Sequence, residues 1–189
     1  MDVSLLFQTL NSINILEPDL QERIRGMLVE EQFKKRSLLL KEGIVAQRVY
    51  FIKKGFVRAY YIKNDQQFTS WFMQQGDIII SVYSFFSRKP SFENIEALDN
   101  CVVQSINWGQ LQQLYREFVS FNVTGRIITE QYYIRSEERA IALQTLPGKA
   151  RYEKLLIDYP QIIQYATLGQ IASYLGIKQE TLSRIRASK

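Results

Sequence analysis

Residues 167–188 read TLGQIASYLGIKQETLSRIRAS. Thr167 followed by Gln170 is a capping box, which starts a helix at Leu168 with Ile171 and Leu175 on its buried side. Gly176 supplies the backbone freedom to end that helix in a tight turn. A second helix then runs from about Lys178 and buries Leu182 and Ile185. Ala172 is small where the two helices would cross. Together these positions form the helix-turn-helix pattern, whereas a generic helical hairpin does not require Ala172 and Gly176 together.

A hairpin of this kind that reads DNA must display polar groups opposite Leu182 and Ile185. Gln179, Glu180, Ser183 and Arg184 meet that condition: Arg bonds guanine O6 and N7, Gln bonds adenine, and Glu accepts from cytosine N4. Lys178, Arg186, Lys189 and Thr167 are then expected to meet phosphates, which fix position but carry no sequence information.

Upstream, Pro147-Gly148 is the best boundary signal in the chain. Before it, only Gly125 interrupts a helical pattern from Phe118 to Leu146, so a long helix is expected over 119–146. Ile127, Ile134 and Ile141 stand one heptad apart on it, a stripe that argues for a partner helix and a two-fold dimer. The competing reading packs the stripe on the chain's own body. Leu111, Leu114, Tyr115, Phe118 and Val119 give one face of a preceding helix. From Phe33 to Ile106 the pattern is one of short runs rich in Val, Ile, Phe and Tyr, separated by turn residues such as Gly55, Asn64-Asp65 and Gly76-Asp77. Many short strands at this spacing imply an antiparallel barrel or sandwich. Residues 3–30 read as two short helices broken near Glu17-Pro18.

The 189 residues are 46% apolar and 23% charged, the composition of a globular chain with a sizeable core. No uncharged apolar run approaches the ~18 residues of a membrane span, and the amino terminus lacks a secretory signal, so a soluble cytoplasmic protein with no membrane partner is expected. The chain contains no histidine, which removes Ser-His and Cys-His catalytic pairs, histidine zinc sites and proximal-histidine haem. Cys101 is the only cysteine, so internal disulfides and cysteine-rich metal sites are excluded. Neither G-x-G-x-x-G nor G-x-x-x-x-G-K is present. No catalytic residue, metal or cofactor is assigned. Net charge is +5 and unevenly spread: residues 1–33 carry −4, residues 34–63 carry +8, residues 64–149 carry −2 and residues 150–189 carry +3. The basic excess around Lys178, Arg184, Arg186 and Lys189 suits a polyanion.

The phrase YFIKKGFVRAYY at 50–61, the turn QQGD at 74–77, the long helix and QETLSRI at 179–185 resemble the cyclic-AMP receptor protein and fumarate-nitrate regulator (Crp/Fnr) family of bacterial transcription factors. The resemblance covers roughly residues 30–188. It implies an α+β fold: a cyclic-nucleotide-binding-like β-barrel (double-stranded β-helix, or jelly roll) with flanking helices, then a long dimerisation helix, then a helix-turn-helix domain. Glu180 and Arg184 match the family's base-reading positions, while Gln179 replaces the usual Arg. Lys178 stands where the family often has a Ser or Thr cap. The chain ends at Lys189, where many members continue into a β-hairpin wing, so most of the wing is lacking. In the cyclic-AMP-binding members a Gly-Glu pair and an Arg-Ser/Thr-Ala run hold the ribose and phosphate. Here Ile80-Ser81 and Ser91-Phe92-Glu93 take those places, so the Arg that would pair with a cyclic phosphate is missing. Ser81, Tyr83, Ser84, Ser91 and Phe92 are the expected members of a degenerate effector pocket whose ligand the sequence leaves unidentified.

The leading expectation is a homodimeric, sequence-specific regulator of transcription that reads an inverted repeat in double-stranded DNA and does not respond to cyclic AMP. Its divisions are a sensor domain at 1–118, a dimer helix at 119–146 and a DNA-binding domain at 147–189. The alternative is a small-molecule-binding module whose terminal hairpin contacts protein instead of DNA. An enzyme on a cupin-like barrel is disfavoured by the lack of histidine.

Overall fold

The computed structural model describes residues 1–188. Helices α1 (Ser4–Ile13) and α2 (Pro18–Met27) flank the Glu17-Pro18 break, with Pro18 at a first-turn position where its missing N–H costs nothing. Eight strands follow: β1 (Val29–Phe33), β2 (Leu38–Leu40), β3 (Arg48–Lys54), β4 (Phe56–Lys63), β5 (Gln66–Gln74), β6 (Ile78–Ile79), β7 (Glu93–Ala97) and β8 (Cys101–Asn107). They form two antiparallel four-stranded sheets, ordered β1-β8-β3-β6 and β2-β7-β4-β5. Ile52, Val57, Ala59, Ile95 and Val103 are at most 3% exposed and belong to one continuous core.

Turn chemistry sets the register. Asn64 and Asp65 both adopt positive φ (50° and 58°) between β4 and β5, the left-handed pair that a two-residue hairpin loop requires. Gly55, at φ 101°, links β3 to β4 so closely to β8 that a side chain there would meet Cys101 Sγ at 2.6 Å. Asp77 closes the next turn by accepting from Gln74 N at 2.9 Å.

Two elements depart from the expectation. β1 was not foreseen as a strand, and the segment VYSFFS forms a short helix, α3 (Val82–Ser87), which ends at Arg88 in the left-handed region. Ser84 anchors α3 by accepting from Ala46 N and donating to Lys89 O.

Helix α4 (Trp108–Glu117) opens with a capping box between Asn107 and Gln110, and buries Leu111 and Leu114. Val119 does not continue that face. The helix stops at Glu117, and Val119 falls in the turn that follows, 77% exposed. Helix α5 (Phe121–Thr145) is the long helix, two residues shorter at its start than expected. Gly125 sits inside it because the Tyr115 ring packs directly on the helix backbone there, and a Cβ would collide with the Tyr115 hydroxyl oxygen.

Beyond Pro147 come α6 (Gly148–Asp158), α7 (Ile162–Tyr165), α8 (Leu168–Tyr174) and α9 (Gln179–Ala187). Arg151 reaches back from α6 to the carbonyls of Leu143 and Leu146 (3.2 and 2.6 Å), and so satisfies acceptors that the end of α5 leaves open. The core of this segment is shared with the outer face of the second sheet: Phe56, Phe72 and Leu98 pack with Tyr159, Ile162, Ile171, Leu175 and Leu182.

Candidate nucleic-acid interface

Thr167 and Gln170 form the reciprocal cap that starts α8. Gln170 N donates to Thr167 Oγ1 at 3.3 Å, and Thr167 N donates to Gln170 Oε1 at 2.8 Å. Ile171, Ala172 and Leu175 are buried, and Gly176 takes φ 63° in the turn. Helix α9 then begins at Gln179 with Lys178 at its N-cap, and no side chain caps it. Leu182 is fully buried and Ile185 half-buried against α8, with Gln179 Oε1 lying 3.1 Å from where a Cβ on Gly169 would be.

The opposite side of α9 displays Gln179, Glu180, Ser183 and Arg184, all exposed. Lys178, Arg186 and Thr167 are exposed as well, whereas Lys189 lies outside the described residues. Glu180 in the first turn and Arg184 and Arg186 in the last complement the helix dipole. Nine residues at ~1.5 Å rise give a helix about 13 Å long, with its polar side free of ion pairs to the described residues.

The hairpin is not independent of the sheets. β5 is an edge strand, and Ser173 of α8 satisfies two of its backbone groups, accepting from Thr69 N at 2.9 Å and donating to Gln67 O at 3.1 Å. Arg139 of α5 donates to Tyr174 O at 2.9 Å and stacks on the Tyr174 ring. Arg135 donates to the Tyr159 hydroxyl at 2.7 Å, which donates in turn to Phe72 O at 2.7 Å. Lys178, Gln179 and Glu180 therefore open onto a groove whose other wall is Gln66, Gln67 and Phe68. The sequence carried no signal of this docking, because each contact joins residues far apart in the chain.

The five expected effector-pocket residues separate into two groups. Ser81, Ser84 and Ser91 are at most 2% exposed and bonded within the fold; Ser81 and Ser91 hydroxyls lie 3.2 Å apart, and Ser91 Oγ accepts from Glu93 N at 3.0 Å. Tyr83 and Phe92 instead stack on each other at the surface, ring centroids 4.5 Å apart, 45% and 60% exposed. Glu93 is buried beside the serines. Burial pushes its carboxyl above the usual range, against the opposing effect of the Ser81 and Ser70 hydroxyls. A carboxyl with a raised folded-state pKa contributes most at low pH, and that contribution is lost as pH rises through the folded value. Glu93→Gln is therefore expected to raise the melting temperature at pH 8, with the gain vanishing as pH falls below the ordinary carboxylate range. A thermal melt series over pH reads this, and a gain that is constant with pH would contradict it.

Ile127 is half-buried, and Ile134 and Ile141 are 55% and 54% exposed; the opposite side of α5, including Tyr132, Arg135 and Arg139, faces the chain's own sheets and α8. Cys101 is buried, with its thiol donating to Phe56 O and Asp99 O, and burial pushes its pKa up, the reverse of an activated nucleophile. Among the described residues no cluster of Cys, Asp and Glu could hold a metal ion, and no helix is long and apolar enough to cross a membrane.

Residues 30–118 match the cyclic nucleotide-binding domain family model. No curated protein sequence matches the chain. Solved structures do. The CLP regulator of Xanthomonas campestris, described as c-di-GMP responsive, has 16% identity and a TM-score of 0.68, with 91% of each chain covered. FixK2 from Bradyrhizobium japonicum has 21% identity and a TM-score of 0.70, covering 85% of this chain and 83% of that one. A protein from Eubacterium rectale described as a Crp/Fnr-family transcriptional regulator has 16% identity and a TM-score of 0.70, covering 92% and 83%. Residues 30–118 thus match the cyclic nucleotide-binding domain, and the chain carries them on a fold shared with solved structures of Crp/Fnr-type regulators.

Proposed function

We propose that this chain is a homodimeric, sequence-specific DNA-binding regulator of transcription, with a sensor domain at 1–118, a dimer helix at 119–146 and a helix-turn-helix domain at 147–189. The observation that carries this reading is α9: Leu182 and Ile185 seat it on α8, leaving Gln179, Glu180, Ser183 and Arg184 exposed in a row that suits base edges. Two such helices related by a two-fold axis read an inverted repeat with half-sites about 34 Å apart. Selection of bound fragments from genomic DNA at several salt concentrations tests it. Recovery of a shared inverted repeat supports the reading, and salt-sensitive binding without any enriched sequence overturns it.

Within each half-site Arg184 reads a guanine and Glu180 a cytosine, while Lys178, Arg186, Lys189 and Thr167 meet phosphates. Arg184→Ala is expected to lose about 1 to 3 kcal/mol of operator binding and to relax preference at one base pair. Arg186→Ala should weaken all sequences alike and flatten the salt dependence. Fluorescence anisotropy on operator and scrambled duplexes separates the two, and equal, sequence-independent losses would mean that α9 does not read bases.

Cyclic AMP is not the effector in this reading. Ser91, in the run where the resemblance calls for an arginine, spends its hydroxyl on the backbone of Glu93, and Arg88 is turned away to Ala46 O and Gln47. Calorimetry should detect no binding at micromolar cyclic AMP; a saturable micromolar isotherm would overturn this part of the reading.

A further inference from the structure

An apolar cavity lies apart from the serines and Glu93. It has a volume of about 300 Å³ and sits between the outer face of the first sheet and the helices α1, α2, α4 and α5. Leu10 and Ile24 form its helical floor, Phe51 and Ile106 the sheet wall, and Ile128 the wall contributed by the long helix. None of Ser81, Tyr83, Ser84, Ser91, Phe92 or Glu93 lines it, and neither does any charged side chain. Phe86 and Tyr133, 53% and 68% exposed, also border it, so the space is reached from solvent past two aromatic rings without unfolding.

Close-packed interiors hold few voids larger than a water molecule, and the volume here is at the lower end of small-molecule sites, which run from roughly 300 to 1,000 Å³. The absence of lining charge is selective in itself, because an ion entering this space would lose its hydration with nothing to replace it. Gln104 adds a polar preference. It stands in the sheet wall at 1% exposure, its amide nitrogen held by Asp2 O at 2.6 Å and Glu30 Oε2 at 2.9 Å, while its Oε1 has no hydrogen-bond partner among the described residues. A donor carried in by a ligand would supply the hydrogen bond that the fold leaves unmade.

We propose that this cavity binds an uncharged, mainly apolar small molecule that carries one hydrogen-bond donor for Gln104. The site is separate from the buried cluster of Ser81, Ser84, Ser91 and Glu93. It also brings the ligand against α5, the helix that reaches Tyr159 after α6 through Arg135 and Tyr174 of α8 through Arg139.

The test uses the full chain and N-phenyl-1-naphthylamine, an uncharged apolar fluorophore with a single N–H donor. Titration should show saturable enhancement at one probe per chain. Competition then compares 1-octanol with 1-methoxyheptane, which has the same atoms but no donor, and with octanoate, which carries a charge. Octanol should displace the probe about tenfold better than the ether, the size of one hydrogen bond to a group otherwise left unpaired. Octanoate should be weaker still. In Gln104→Met the octanol and the ether should become equal, and Ile128→Trp, which fills the cavity, should lose the probe while keeping its far-UV circular dichroism. Undiminished probe binding by a folded Ile128→Trp, or octanoate competing as well as octanol, would overturn the assignment. Should Ile128→Trp not fold, the octanol-to-ether ratio and its collapse in Gln104→Met decide the question. The assay contains no DNA, so its outcome stands apart from that of the operator experiment.

Discussion

Replacing Ile127 and Ile134 together with glutamate is expected to give a monomeric chain that no longer holds an operator. Ile134 and Ile141 are each more than half exposed on α5, and Ile127 is half-buried, while the other side of the same helix is already occupied by contacts through Tyr132, Arg135 and Arg139. An isoleucine stripe at heptad spacing gains about 1.5 to 3 kcal/mol for each side chain that a partner helix buries. Four glutamates in a two-fold seam would remove that gain and set like charges against one another. Losing the second half-site should then weaken operator binding by about 10² to 10⁴-fold, the usual contribution of a linked second contact. Light scattering and anisotropy on the same samples check both statements. A variant that remains a dimer would place the interface on another surface of the chain.

Arg58→Met is expected to destabilise the fold by about 3 to 5 kcal/mol. Arg58 is 3% exposed in β4, directly across from Glu96 of β7, and its guanidinium bonds the Glu96 carboxylate at 2.7 to 2.8 Å. It also donates to Gln67 and, at 3.3 Å, to Thr69 of β5, and covers the Tyr60 ring. One side chain thus ties three neighbouring strands. Removing it leaves the Glu96 carboxylate, whose side chain is only 15% exposed, without its cation. The double variant Arg58→Met with Glu96→Gln should recover most of the loss, since the penalty comes from the stranded charge more than from the missing pair. Urea unfolding, read as a shift in midpoint at unchanged slope, measures both. A double variant as unstable as the single one would mean that packing of the Arg58 guanidinium over Tyr60, and not the stranded Glu96 charge, holds the sheet.

Some of this architecture was legible residue by residue. Asn64-Asp65 gave a hairpin turn because left-handed backbone is available to few side chains, and that turn fixes the β4–β5 register. Thr167 and Gln170 gave the start of α8 because a capping box needs only residues three apart. The alternation of turn residues with short apolar runs gave an antiparallel barrel or sandwich without deciding between them, and the apolar residues between 167 and 188 gave a pair of crossing helices. Missing histidine removed whole classes of chemistry without any reference to shape.

β1 stayed hidden because it is an edge strand: Val-Glu-Glu-Gln-Phe pairs on one side only, its side chains are half-buried or exposed, and no apolar period marks it. Helix α3 stayed hidden because its aromatic run reads equally as strand, and what makes it helical is Ser84 bonding a backbone N–H thirty-eight positions away.

What the sequence by itself determined is therefore whatever depends on neighbours along the chain: caps, turns, periodicity, the isoleucine stripe and the polar face of α9. Tertiary structure alone decided the rest: the burial of Glu93 among serines, the clasp of Ser173 on the β5 edge, and the apolar cavity beside Gln104. The physical reason is one of range. Helix caps and turns are satisfied within a few residues, whereas burial, edge-strand pairing and cavities are set by which distant surfaces meet, and no local pattern records the partner.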